Sequence, residues 1–349
     1  MKVLSIVGAR PQFVKLAPVA AALKRAGERH VIVHTGQHYD EGMSGVFFAD
    51  LHIPEPDVHL GIGSGTHGAQ TGAMLAALDP VLTEQRPDWV LVYGDTNSTI
   101  AGALAAVKLH LPVAHLEAGL RSFNRRMPEE HNRVITDHAA DLLLAPTQVA
   151  MDHLAAEGLA ARSVLVGDVM TDVCHLVRDA VLRENRPRRF DDDYVVATIH
   201  RPDNTDDPAR LSAILAALQA LPVRVLLLAH PRLVARAREF GLRLDGGALT
   251  SAAPLPYPDM VAAVLGSTGV VTDSGGLQKE SFLLGVACTT LRTETEWVET
   301  LVDGWNVLDP DLVDLAVLAA RPAPSTARTA PYGDGHAAER VVAELRQRG

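Results

Sequence analysis

Residues 269–281 read GVVTDSGGLQKES. A short β-branched run, GVVT, stops on Asp273, Ser274, Gly275 and Gly276, and a helix-forming segment follows. Strand, tight turn and helix in this order form the repeating unit of a parallel α/β sheet. Capping the helix would use Asp273 or Ser274 but requires neither glycine. A turn without Cβ atoms also admits an anion to the free N–H groups of the first helical turn. The stretch by itself leaves capping and anion binding both open.

The same device recurs at residues 88–99, DWVLVYGDTNST, where an apolar strand runs through Gly94 and Asp95 into a helix. Apolar runs at 3–7, 31–34, 89–93, 112–116, 142–145 and 164–166 read as strands, separated by helical patterns such as 16–25, 67–85 and 99–109. A second set of strands is expected at 194–199, 223–229, 269–272 and 286–291. Between the sets, residues 179–193 (DAVLRENRPRRFDDD) are charged, contain proline and read as the connection. The fold class is therefore α/β, with two Rossmann-like doubly wound domains facing a central cleft. The expected domains are 1–178 and 179–328, with a terminal segment 329–349. Ligands of such sheets sit at the carboxyl ends of the strands.

A length of 349 residues favours two cores over one. The formal net charge of −10, without a basic stripe, excludes nucleic acid as the expected partner. Cys174 and Cys288 are far apart in a C-x-x-C-free chain and read as reduced cysteines. The first residues, MKVLSIVGARP, read as a strand, and no apolar run approaches a membrane span, so a soluble cytoplasmic protein is expected.

Four constellations could carry chemistry. Behind the Ser274-Gly275-Gly276 turn, Glu280 lies one helical turn on, where a carboxylate could accept hydrogen bonds from a ribose diol. Arg10 follows the first strand directly, and Lys15 lies about a turn into the next helix; both could face a phosphate or remain solvated. Asp95 and Glu117 end neighbouring strands, and Glu129 and Glu130 follow in RMPEEHNR. Convergent acids of this kind suit proton transfer, although each could equally cap a helix or pair with a base. His200 and Arg201 leave the first strand of the second set, as phosphate ligands, as an acid for a leaving group or as structural residues. The motifs of zinc proteases, P-loops, serine hydrolases and dinucleotide folds are missing, so neither a metal nor a nicotinamide cofactor is expected.

Taken in order, seven blocks resemble the non-hydrolysing UDP-N-acetylglucosamine 2-epimerases: GARPQFVKLAP, GQHYD, VYGDTNST, HLEAGLRSFNRRMPEEHNR, HRPDN, TDSGGLQKES and PYGDGHAAERV. The resemblance spans residues 1 to about 346. It implies a fold similar to glycosyltransferase-B enzymes, a final segment crossing back to the first domain, a homodimer, and no cofactor. It further implies inversion at C2 of a UDP-2-acetamido sugar, UDP-N-acetylglucosamine to UDP-N-acetylmannosamine, by elimination of UDP and its re-addition.

By position, the resemblance assigns Arg10, His200, Ser274, Gly275 and Gly276 to the diphosphate and Glu280 to the ribose. Lys15, Asp95, Glu117 and Glu129 match acid, base and binding positions, with Asp95, Glu117, Glu129 and His200 counted as catalytic. Arg292 falls near the sugar or phosphates, and His38, Arg121, Arg201 and Tyr257 complete the substrate-binding set. Ala9, Gln12, Asp203 and Trp297 depart from the commoner pattern. GARPQF, VGDVM, QKE and Trp297 look more like the branch acting on UDP-2,3-diacetamido-2,3-dideoxy-glucuronate. A hydrolysing epimerase, a glycosyltransferase of similar fold and a non-catalytic nucleotide-sugar sensor are the other readings.

Overall fold

A computed structural model describes residues 1–36 and 54–349, the Arg10 side chain excepted. His38, expected at the substrate, lies outside the described residues. The chain forms two compact units, Met1–Val173 with Ala330–Gly349, and Cys174–Thr329.

The first unit holds β1 (Lys2–Val7), β2 (Arg29–His34), β3 (Val58–His59), β4 (Trp89–Tyr93), β5 (Val113–Leu116), β6 (Leu142–Ala145) and β7 (Ser163–Leu165). Their order across the sheet is β3-β2-β1-β4-β5-β6-β7. Every pair is parallel. The apolar runs have this fate because helices cover the sheet; WVLVY of β4 is buried along its whole length. Leu4, Ile6, Val90, Val92 and Val113 pack with Met74, Leu78 and Leu82 of the helix His67–Gln85 in one core.

The second unit repeats the plan with β8 (Tyr194–Thr198), β9 (Arg224–Leu228), β10 (Leu249–Ala252), β11 (Gly269–Thr272), β12 (Cys288–Thr290) and β13 (Asn306–Leu308). The order is β10-β9-β8-β11-β12-β13, again parallel. Val195, Ala197, Val225, Leu227 and Val271 form its core with Leu211, Ile214 and Leu218 of the helix Pro208–Gln219. In each sheet the chain steps outward from its first strand, then returns to that strand's other side. The reversal falls between β1 and β4 in one unit and between β8 and β11 in the other. Such switch points open a crevice at the strand carboxyl ends.

The helix Arg10–Arg25 begins earlier than its apolar periodicity suggests. Pro11 occupies the first turn, and Gln12 Oε1 accepts from Gly8 N at 2.8 Å and Ala9 N at 3.0 Å, closing the start of the helix. The helix Val169–Arg183 continues through the first third of the segment read as a connection. The helix Ala337–Arg348 returns to the first unit, where Trp89 Nε1 donates to Leu345 O at 3.0 Å. Its first turn is capped by Asp172, which accepts from Ala337 N at 3.0 Å and Ala338 N at 2.7 Å. Among the described residues no helix is long and apolar enough to cross a membrane.

Candidate functional site

In the first unit the register places Tyr93 opposite Leu116, so the chain leaves β4 and β5 side by side and delivers Asp95 and Glu117 to one edge. Glu117 has φ +69°, a left-handed backbone that costs a non-glycine residue roughly 1–2 kcal/mol. Its side chain is nearly buried and takes a hydrogen bond and ion pair from Lys15 Nζ. A Cβ on Gly94 would stand 3.3 Å from Glu117 Oε2 and 3.4 Å from Lys15 Nζ, so glycine here clears the space for that pair. Burial alone would pull the Lys15 pKa down, but Glu117, followed by Asp95 and Asp168, pushes it above its ordinary value. Lys15 is therefore an ammonium at neutral pH.

Asp95 is steered from the helix Pro128–Ala139. Arg133 Nη2 lies 2.6 Å from Asp95 Oδ2, and Asn132 Nδ2 donates to Asp95 O at 2.9 Å. Of the two adjacent glutamates, Glu130 is consumed locally. Its carboxylate accepts from Ser122 N, Ser122 Oγ and Phe123 N, each at 2.9 Å, and pairs with Arg133 at 2.8 Å. Burial would raise its pKa, but these donors hold it below the usual carboxylate range. The side chain of Glu129, half-buried, has no hydrogen bond or ion pair to another described residue. No contact joins it to Lys15 or Glu117 among the described residues.

Arg121, expected at the substrate, is instead locked into a buried network. Its side chain is 1 % exposed, with Nη1 at 2.7 Å from Asp137 Oδ2. Nε lies 2.7 Å from Glu157 Oε1. Asp137 also meets His115 Nδ1 at 2.6 Å, and His115 Nε2 reaches Gly94 O at 2.7 Å. Burial opposes the Asp137 charge, but His115 and Arg121 outweigh it and lower the pKa. This network braces the Gly94 turn from below.

In the second unit Thr272 pairs with Thr198, so the turns after β11 and β8 emerge together. Ser274 caps the helix Gly275–Leu284, its Oγ accepting from Leu277 N at 3.4 Å. Asp273 turns to the neighbouring strand. Fully buried, it accepts from His200 N at 3.1 Å, Arg201 N at 2.9 Å and Asn204 Nδ2 at 3.1 Å. A Cβ on Gly276 would find nothing closer than Ser274 Oγ at 4.0 Å, so this face of the turn is open. His200 lies 3.3 Å from Asp273 Oδ1 through Nδ1 and against His230, with ring centroids 5.3 Å apart. Burial above all, with His230 and Arg201, lowers its pKa despite Asp273, so the imidazole is neutral at pH 7.

Glu280 and Tyr257 come together with Cys174. Burial raises the Glu280 pKa to about 7, although Tyr257 and Lys279 work against it. Burial and Glu280 raise that of the Tyr257 phenol. Burial likewise pushes the Cys174 thiol up to about 12. Arg292 Nη1 pairs with Glu296 Oε2 at 2.7 Å, and Arg201 Nη2 stands 3.7 Å from Glu296 Oε1. Arg201, Asn204, Arg210 and Arg292 line a cavity of about 400 Å³. Arg10 opens its helix directly after β1, as expected.

Sequence reasoning missed His115, Asp137, Arg133 and Glu296. The first two read as a strand residue and a helix residue, and no local pattern announces their meeting. Among the described residues no group of three or more His, Cys, Asp or Glu could hold a metal ion.

Two parallel sheets, each with polar and glycine-rich turns at its switch point, match a family model described as UDP-N-acetylglucosamine 2-epimerase over residues 21–346. The chain belongs to that family. It is accordingly an enzyme, a nucleotide-sugar 2-epimerase. A UDP-2,3-diacetamido-2,3-dideoxy-D-glucuronate 2-epimerase of Pseudomonas aeruginosa is 46 % identical, with 99 % of each chain covered. The crystal structure of Methanocaldococcus jannaschii UDP-GlcNAc 2-epimerase in complex with UDP-GlcNAc and UDP is 36 % identical, with a TM-score of 0.83 over 99 % of this chain and 100 % of that one. The Neisseria meningitidis UDP-GlcNAc 2-epimerase bound to UDP-GlcNAc is 26 % identical, with a TM-score of 0.84 and the same coverage.

Proposed function

We propose that this epimerase inverts C2 of a UDP-2-acetamido sugar by eliminating UDP and adding it back. The observation that carries the reading is Glu117, held in a costly left-handed backbone against Lys15 at the end of β5, the strand next to the one that delivers Asp95.

The first step breaks the C2–H and C1–O bonds. A carboxylate of the set Asp95, Glu117 and Glu129 takes the proton, the C1–O electron pair leaves with the UDP oxygen, and a 2-acetamidoglucal with a C1=C2 double bond remains. Protonation of the opposite face of C2 and return of UDP to C1 restore the bonds with C2 inverted. Lys15 counters the charge of the acid set. The departing diphosphate falls to Arg10, to Arg292, to His200 and to the N–H groups of the Ser274–Gly276 turn, which suit an oxyanion. Neutral His200 gains a proton more readily once a phosphate lies beside it. Glu280 and Tyr257 take the ribose side.

The 46 % identity to the diacetamido-glucuronate enzyme favours a diacetamido-uronate nucleotide as substrate, with UDP-N-acetylglucosamine as the second reading. Cys174 and Cys288 are both free and buried, which fits a reducing cytoplasm. Self-association as a homodimer belongs to the same proposal and is read by sedimentation. The deciding experiment is proton NMR of the protein with each nucleotide sugar in deuterium oxide. Deuterium at C2 of both epimers without accumulating UDP supports the proposal. Accumulating UDP indicates hydrolysis, and unchanged spectra with both substrates overturn the reading.

A further inference from the structure

Glu296 sits where the proposed diphosphate would. A Cβ on Gly275 would overlap Glu296 Oε1, and Gly276 beside it faces open space. The same carboxylate lies 2.7 Å from Arg292 and 3.7 Å from Arg201. It thus brings a negative charge to both guanidiniums and to the N-terminus of the helix Gly275–Leu284, the groups that would otherwise attract an anion.

The segment carrying Glu296 is tied down on both sides. Thr295 Oγ1 donates to Gln278 Oε1, and Gln278 Nε2 donates to Ser274 O at 3.2 Å. Trp297 N donates to Thr295 Oγ1 at 3.0 Å, and the Trp297 ring rests on Lys279 Nζ, 4.1 Å from its centroid. Gln278 is completely buried and Lys279 nearly so. The Glu296 side chain itself is 45 % exposed, which leaves it rotamers that point away from the turn. The backbone is fixed while the charged end can swing.

We infer that Glu296 is a specificity-determining internal anion, which occupies the diphosphate position when no ligand is bound and must be displaced for UDP to enter. Arg201 and Arg292 exchange one carboxylate for phosphate oxygens, so a weakly charged ligand gains too little to drive the exchange. The cost appears as a reduced apparent affinity, in proportion to the fraction of molecules with Glu296 swung out. This inference rests on the proposal that a uridine diphosphate group binds the Ser274–Gly276 turn.

The test is calorimetric titration of the full chain, as wild type and as Glu296→Gln, with UDP and with uridine. Glutamine keeps the side-chain size and removes the charge. The expected result is that UDP binds the variant about tenfold more tightly, the penalty of a site that is open about one-tenth of the time. Uridine, which carries no phosphate, binds both proteins alike and also reports that the variant is folded. If Glu296→Gln does not fold, Glu296→Ala replaces it with the same expectation. UDP affinity that is unchanged or weaker in the variant overturns the inference while leaving the diphosphate reading intact. UDP binding to neither protein overturns that reading and the inference with it.

Discussion

The two switch points use one backbone device for opposite ends. After β4, Gly94 clears space so that Glu117 and Lys15 can pair, and charge is concentrated at the expense of a left-handed backbone at Glu117. After β11, Gly276 leaves one face of the turn open; Ser274 caps its own helix and Asp273 is buried under the neighbouring turn. In the proposed reaction the first edge moves protons. In the same proposal the other presents N–H groups to an anion, and burial works against charge on its titratable groups, lowering the pKa of His200 and raising that of Glu280 to about 7.

The comparison breaks most sharply at Glu117. Glu117→Gln keeps the side-chain shape and removes one carboxylate of the proposed proton-transfer set; if Glu117 is the base, turnover falls by about a thousandfold, within the range for a general base. UDP affinity stays within about twofold, because the anion turn lies in the other unit. Loss of UDP binding in parallel with turnover would make Glu117 architectural.

Asp273 tests the second edge. Asp273→Ala leaves the buried donors of His200, Arg201 and Asn204 without their acceptor, at about 3 kcal/mol of unfolding free energy. Urea denaturation reads the loss. A change below about 1 kcal/mol would show that water or the free backbone replaces the carboxylate readily.

What the sequence made legible follows from how local each feature is. The alternation of apolar runs and helical segments exposed both sheets, and the abrupt strand endings exposed Asp95, Glu117 and the Ser274–Gly276 turn. The short strands β3, β10 and β13 escaped because two or three residues, or a polar run such as LTSA, carry no period. Asp273 read as a candidate cap for its own helix, yet it serves a turn about 70 residues away in the chain. Arg121 sits in a charged motif that looks ligand-facing, but Asp137 and Glu157 claim it at separations that spacing cannot reveal. The choice between Glu129 and Glu130 likewise depends on where the Ser122 loop folds.

A third test concerns protonation. With the Glu280 pKa raised by burial to about 7, the carboxyl is mostly protonated at pH 6 and mostly ionised at pH 8. The ionised form is the better acceptor for a ribose diol, so UDP affinity rises through about pH 7. The stability of the free protein moves the other way. The folded state binds a proton that the unfolded state has already released, so the contribution of Glu280 is full below the unfolded pKa and lost as pH rises through about 7. Glu280→Gln flattens both profiles. A UDP affinity that still climbs in the variant would assign the titration to another group, with the terminal phosphate of UDP itself first in line.

The smallest effect separates room from strain. Gly276 is in the first turn of a helix, without the left-handed backbone that Gly94 has, and its missing Cβ faces open space. Gly276→Ala therefore stabilises the protein by about 0.5 kcal/mol, because alanine loses less backbone entropy on folding. The same methyl group stands where the proposed phosphate approaches the N–H groups, so UDP binding weakens while thermal stability rises. Stability and affinity moving in opposite directions would mark the glycine as kept for ligand access. A gain in stability with unchanged UDP affinity would mean that the diphosphate does not use this face of the turn.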